Sequence, residues 1–332
     1  MCGIIGIVSR PSGRAVPAPA AVLALLDEAV AAGDDLAAAA RLLSAADEML
    51  RGDAGIVALA GNLSLAGDIS GRLDLVDARA DSAEAGLDLM HGDSAAIDAA
   101  AAVVSAVRDA SWSLRRDRLR TADAVHALAG AGAAHHTLHG YLSVQQALSA
   151  IDRMEVRGRD SAGIGVVVWG ADLSAVTSRF AGDIARRCAD DLFTNNSVRS
   201  ASGNLLFVYK AAAEIGELGD NTRNMRAAVA ADDVLRAALA VPGARVSVLG
   251  HTRWASVGII SEPNAHPVTG EEVGAAGDTT SIAVLNGDVD NHADLKARHG
   301  LRFADPITTD AKVIPALVDR LRTPGTALGV RL

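Results

Sequence analysis

The sequence predicts a layered α+β domain interrupted by a long helical insertion, and three observations carry that prediction. A short β-branched apolar run, Cys2 to Val8, opens the chain. Alanine-rich segments with helical spacing follow from about Pro17 to Gly140. Strand-like runs then return from Gly163 onward, clustered rather than strictly alternating with helices, which favours layered α and β over a doubly wound parallel sheet. The chain has 332 residues and is 50% hydrophobic, enough for one large domain or two ordinary ones.

The first run, Cys2-Gly3-Ile4-Ile5-Gly6-Ile7-Val8, reads as a buried strand at the very terminus. In the insertion, Val22, Leu25, Leu26 and Val30 fall on one helical face, and Gly33, Gly52, Gly61 and Gly71 punctuate it. Beyond it, strands are expected over Gly163 to Trp169, Ala175 to Phe180, Leu205 to Tyr209, Val246 to Gly250 and Ser281 to Leu285. Helices are expected over Leu142 to Met154, Asn221 to Leu239 and Thr309 to Leu321. The short tail, Arg322 to Leu332, leaves a sheet built from these strands without closing members, so the chain is expected to be a fragment.

The net charge is −9. That offers no basic footprint for nucleic acid or an anionic membrane, and the local run Arg115 to Arg120 reads as a solvated helix face. No stretch of about 18 apolar residues and no leader pattern occurs. Two cysteines, Cys2 and Cys188, make no disulfide framework, and a reducing, cytoplasmic setting is expected. His135, His136 and His139 have helical spacing, but no carboxylate or cysteine partner stands beside them, so packing or surface roles are favoured over a metal site. No phosphate-binding or dinucleotide fingerprint is present, and no cofactor is expected.

Four residue groups could carry chemistry. With Met1 removed, Cys2 would place a thiol and a free α-amine on one residue. The amine has a pKa of roughly 7.7–8.0 and can accept the thiol proton near neutrality; alternatively Cys2 is a small buried hydrophobe. Arg253, leaving the strand Val246 to Gly250 with Trp254 beside it, offers a planar fork for a carboxylate, with Ser256 as a further donor, or else a stacked surface contact. Asn286-Gly287 ends another apolar run and could present two donors to an oxyanion, or form a plain turn. Asp310 follows Thr308 and Thr309 at a helix start, where an acid either caps the helix or holds an ammonium.

Taken together these pieces resemble the class II glutamine amidotransferases, and among them most nearly the glutaminase domain of glutamine–fructose-6-phosphate aminotransferase (glucosamine-6-phosphate synthase). The matching stretches are Met1 to Gly6, Arg157-Gly158-Arg159-Asp160-Ser161-Ala162-Gly163, His251 to Gly258, Asn264-Ala265-His266-Pro267, Asn286-Gly287 with Asn291-His292, and Thr309-Asp310 with Val313-Ile314. The resemblance covers residues 1–9 and 142–321, in the family's order. It implies an αββα sandwich of the N-terminal nucleophile hydrolase type, with an amidotransferase domain over 1–9 and 142–332, incomplete at its C-terminus, and a helical insertion over 10–141.

The resemblance further implies that Cys2 attacks glutamine to give a γ-glutamyl thioester and that Asn286 and Gly287 form the oxyanion hole. Arg253, Ser256, Trp254, His266 and Asp310 would contact substrate, and Arg157 would support the nucleophile. Ammonia would pass to a sugar-isomerase domain, in a longer chain or a partner chain, for glucosamine 6-phosphate synthesis; a homo-oligomer is left open. Val257 and Leu285 stand where histidines are usual, which bears on glutamine affinity. Tyr209-Lys210 and Glu214 to Asn221 loosely resemble the loop preceding the arginine motif. Another class II amidotransferase, and a non-catalytic glutamine-binding or interaction module, are the alternatives.

Overall fold

The computed structural model describes residues 2–10, 13–87, 94–212, 217–273 and 281–321. The tail from Arg322 and the stretch Glu214 to Gly216 lie outside the described residues. The chain divides into two compact units, residues 11–142 and residues 1–10 with 143–332.

The first unit is helical. Strand β1 (Gly3–Val8) belongs to the other unit; helices α1 (Pro19–Ala31), α2 (Leu36–Met49), α3 (Gly52–Ala60), α4 (Leu63–Leu87), α5 (Ser94–Ser113) and α6 (Arg120–Ala129) follow. Pro19 opens α1, where a missing N–H costs nothing, and Asp35 caps α2 by accepting the Ala38 N–H at 2.9 Å. Val22, Leu26, Leu43, Leu59, Leu65, Ile69, Leu73, Val107, Leu114 and Val125 are buried at helical spacing and form the core.

Between α5 and α6, Leu114–Leu119 is π-helical. Arg116 and Arg120 are exposed, as a solvated face requires, but the structure corrects that reading of Arg115 to Arg120 for the other two arginines. Arg118 turns inward to the buried Asp47 at 3.0 Å, and Arg115 pairs with Asp74 and Asp77 at 2.7 and 2.9 Å. Asp47 on α2 draws Arg118 off the surface, because a buried charge must be paired, while Arg115 stays half-buried against the carboxylates of α4.

The second unit is mixed helix and sheet. Helix α7 (His135–Met154), within which the unit boundary falls, leads to β2 (Ser161–Trp169). Then come α8 (Ser174–Arg179), α9 (Ala181–Cys188), β3 (Val198–Ala201), β4 (Asn204–Ala211), α10 (Asp220–Ala230), α11 (Asp233–Leu239) and β5 (Arg245–Arg253). The chain continues through β6 (Val268–Thr269), β7 (Ile282–Ala283), α12 (His292–His299) and α13 (Val313–Leu321). Five strands form an antiparallel sheet in the order β1-β5-β2-β4-β3, and β6 pairs with β7.

Two expectations are corrected. Ala175 to Phe180 is helical, not a strand, although Val176, Thr177 and Phe180 favour β structure. Asp172 accepts the Ser174 N–H at 2.9 Å, starting the helix, and Val176 is buried from it. The single helix expected over Asn221 to Leu239 breaks at Asp232, whose carboxylate accepts the Val234 and Leu235 N–H groups and restarts the helix as α11.

The sheet's two faces differ. One row of paired residues holds Ile5, Gly250, Ile164 and Tyr209, and the next holds Ile7, Val248, Val166 and Phe207. Ile151 of α7 packs over Gly250 on this face. The opposite face carries His251, Gly163 and Lys210 in one row. A Cβ at Gly163 would clash with the His266 carbonyl, and one at Gly165 would lie 2.9 Å from Ile282 Cδ1. The glycines therefore let the His266-Pro267 backbone and β7 close on the sheet. Ile4 and Val8 on the same face remain 44% and 58% exposed.

Candidate active site

Register alone brings the first functional residues together. Gly3 pairs with Thr252, so Cys2 lies opposite Arg253, and strand alternation sets both on the face that carries His251. A pocket of about 200 Å³ opens there, lined by Cys2, Arg253, Trp254, Ser256, Val257, His266, Leu285, Asn286, Gly287, Asp288, Thr309 and Asp310. It falls below the roughly 300–1,000 Å³ of pockets that take drug-sized ligands, a size suited to an amino acid.

The Cys2 sulfur receives the Trp254 N–H at 3.3 Å, and its thiol lies 3.7 Å from the Trp254 carbonyl. The Cys2 backbone N–H donates to Asn286 Oδ1 at 3.3 Å, which leaves the Asn286 amide NH₂ as a donor. Gly287, next in line, has φ of +154°, a conformation that residues with a Cβ rarely adopt. Trp254 is 58% exposed at the edge of the pocket.

Arg253 is buried, and its guanidinium donates to the Val257 and Ile259 carbonyls, clasping the loop that follows β5. Burial lowers its pKa from the ordinary arginine value, opposed by the charges of Cys2, Asp310 and Asp160. Ser256 Oγ donates to Asp288 Oδ1, a carboxylate next to Asn286-Gly287 to which the sequence assigned no role. Asp310 does not cap the helix after it: its Oδ2 accepts the Val289 N–H at 2.6 Å, which orients it beside the Asn286 loop. His266 is buried in the pocket wall, with Nδ1 accepting the Leu285 N–H and Nε2 3.3 Å from Thr309 Oγ1.

Arg157 is exposed and is not among the pocket-lining residues. Its motif meets the site through two neighbours instead. Asp160 Oδ2 accepts the Ala255 N–H at 2.7 Å, and a Cβ at Gly158 would come within 2.9 Å of the Arg253 carbonyl carbon. Asn264 is the main participant that sequence reasoning left without a role. It is fully buried, its Oδ1 accepts the Thr308 and Thr309 N–H groups at 2.7 and 2.8 Å, and its Nδ2 donates to Ser261 Oγ and the Pro306 carbonyl. Its only signal was its place in the stretch Asn264 to Pro267.

Among the described residues no group of three or more His, Cys, Asp or Glu could hold a metal ion. His139, in the helical unit, lies 3.4 Å from Asp53. No single helix among the described residues is long and apolar enough to cross a membrane.

Part of the chain is similar to two enzymes named glutamine–fructose-6-phosphate aminotransferase (isomerizing). That of Symbiobacterium thermophilum is 42% identical over 81 residues, 23% of this chain and 12% of the relative. That of Caulobacter vibrioides is 34% identical over 128 residues, 36% of this chain and 18% of the relative. The matched stretches thus span less than a fifth of either relative. No family model and no solved structure matches the chain.

Proposed function

We propose that the mixed unit is a class II glutamine amidotransferase domain with the αββα architecture of N-terminal nucleophile hydrolases, using Cys2 as its terminal residue after Met1 is removed. The observation that carries this is the Cys2 sulfur held against the Trp254 N–H in a pocket that also contains Asn286, Gly287, Arg253 and Asp310. The similarity to two glutamine-dependent aminotransferases supports it.

In the proposed reaction the Cys2 α-amine takes the thiol proton, and the sulfur attacks the glutamine carboxamide carbon. The Asn286 NH₂ and the Gly287 N–H receive the developing oxyanion. Collapse expels ammonia, which takes the proton held by the α-amine, and leaves a γ-glutamyl thioester. Water then hydrolyses the thioester to glutamate and restores the thiol. Arg253, through the donors not engaged by the loop carbonyls, and Ser256 bind the α-carboxylate; Asp310, which lines the pocket, binds the α-ammonium. Trp254 covers the site and Arg157 supports it from outside. The ammonia serves glucosamine 6-phosphate formation in a sugar-isomerase domain, within a longer chain or on a partner chain, in the cytoplasm.

Glutamate release from glutamine, together with intact mass to establish loss of Met1, tests this. Cys2→Ala should abolish release, and Asn286→Ala should lower kcat by about 10²–10³-fold, the usual loss for one oxyanion donor. A processed, folded chain that releases no glutamate sinks the hydrolase reading and leaves a binding module.

A further inference from the structure

Two buried imidazoles, His266 in the pocket wall and His251 beside it, converge on a single residue. His251 Nε2 lies 2.9 Å from the Leu285 carbonyl oxygen. A carbonyl only accepts, so Nε2 carries the proton; Nδ1 is buried with no hydrogen-bond partner among the described residues. On the other side, His266 Nδ1 accepts the Leu285 N–H at 3.3 Å, which sets its proton on Nε2, toward Thr309 Oγ1. The two rings are 4.5 Å apart and tilted by 39°.

Strand β7 ends at Ala283, so by Leu285 the ladder no longer holds the backbone. The histidines take over its N–H and its C=O, and the next two residues are the Asn286 and Gly287 donors. An Asn-Gly pair left to itself is a flexible turn. We infer that His251 and His266 form a clamp of neutral imidazoles that fixes the Leu285 backbone and thereby aims the Asn286 and Gly287 donors at the carbon attacked by Cys2. They are positioning residues, and the inference rests on the glutaminase reading above.

The clamp works in one protonation state. A proton on His266 Nδ1 would face the Leu285 N–H, donor against donor. Beyond burial, Arg253 on β5 opposes imidazolium formation at both rings, and His251 and Lys210 on β4 oppose it at His266. Asp310, on the turn beside Thr309, shares the pocket but commits an oxygen to the Val289 N–H. Burial pushes His251 down to about 4 and His266 well below the ordinary histidine value. The arrangement also explains how Leu285, with an apolar side chain, stands directly before the oxyanion donors: its backbone, not its side chain, is what is held.

Kinetics and labelling of the full chain test the clamp. His251→Phe and His266→Phe keep a flat ring but remove the donor and the acceptor. Each should lower kcat for glutamine about tenfold to a hundredfold, with KM changed by less than about twofold, because a misplaced donor costs the transition state more than the ground state. Alkylation of Cys2 by iodoacetamide, which forms no oxyanion, should be unchanged. His251→Gln, with an amide N–H near the Nε2 position, and His266→Asn, with an amide oxygen near Nδ1, should recover most of kcat. Wild-type kcat in the Phe variants, or parallel loss of alkylation and hydrolysis, would overturn the clamp. If wild type releases no glutamate, the glutaminase reading fails, and long-range 1H–15N correlation of the imidazoles tests the clamp alone. Two neutral rings with protons on Nε2 at about pH 6 support it, and an imidazolium or an Nδ1–H tautomer there refutes it.

Discussion

Asn264 shows how much of this site rests on a side chain that never enters the pocket. Its amide makes four hydrogen bonds while fully buried, and two of them hold the backbone just before Asp310. Replacing it with Ala strands the buried Thr309 N–H and releases the Thr308 N–H to solvent, so Asn264→Ala should cost about 1–3 kcal/mol by denaturant unfolding, from the desolvation of one unpaired buried donor. If Asp310 binds the substrate ammonium, the KM for glutamine should rise as well. Cys2, Arg253, Asn286, Gly287 and Asp310 could be singled out from sequence because each is a chemically distinctive group at a strand or helix end. Asn264 and Asp288 could not, since a polar residue in a loop has no periodicity and its partners lie far along the chain.

Among the elements, the break between α10 and α11 depends on one carboxylate. Asp232 caps α11, and it also accepts from Arg187 and from Tyr209 Oη at 2.8 Å, in a buried cluster that ties α9, β4 and α11 together. Burial works against its charge, but Arg187, the Leu235 N–H and Tyr209 outweigh that and hold its pKa below the ordinary carboxylate value. Asp232→Ala leaves Arg187 buried without its main partner. The loss should be about 3–5 kcal/mol in chemical unfolding; a change within about 0.5 kcal/mol would show the cluster to be dispensable. The strands β2 and β4 were legible as short continuous apolar runs, buried on both faces, and β5 by the alternation at its start. The helix α8 was not, because its six residues include β-favouring side chains, and only the Asp172 turn ahead of it and the burial of Val176 mark it.

At the scale of the whole molecule, buried charge sets how stability responds to pH. Asp232 and Asp190 have folded-state pKa values held down by their donors, so their contribution is present above the unfolded carboxylate value and is lost as pH falls through the folded one. The alkaline side runs the other way. Lys210 is fully buried, without a hydrogen-bond partner among the described residues, and burial pushes it down to about 7; Lys312 is pushed to about 8. Between those values and the unfolded lysine value of about 10.4 the unfolded chain holds more protons, so stability should rise with pH from about 7 to 10. Lys210→Met should raise stability at pH 7 by on the order of 2 kcal/mol and flatten that rise, since each pKa unit is worth about 1.4 kcal/mol. Thermal melts of both proteins across this range check the sign.

The sequence by itself determined the mixed α+β character, the helical nature of the long insertion, and the residue types able to make a nucleophile, a carboxylate fork and an oxyanion donor pair. These are local properties: periodicity, the end of an apolar run, the chemistry of a side chain. Only the tertiary structure decided which of those side chains share a pocket, that Arg157 stays outside while Asp160 and Gly158 contact the backbone of the Arg253 loop, and that Leu285 is held by His251 and His266. Those facts depend on strand register and on the crossing of segments distant in sequence. A hydrogen-bond partner chosen across such a crossing leaves no mark in the residues on either side of it.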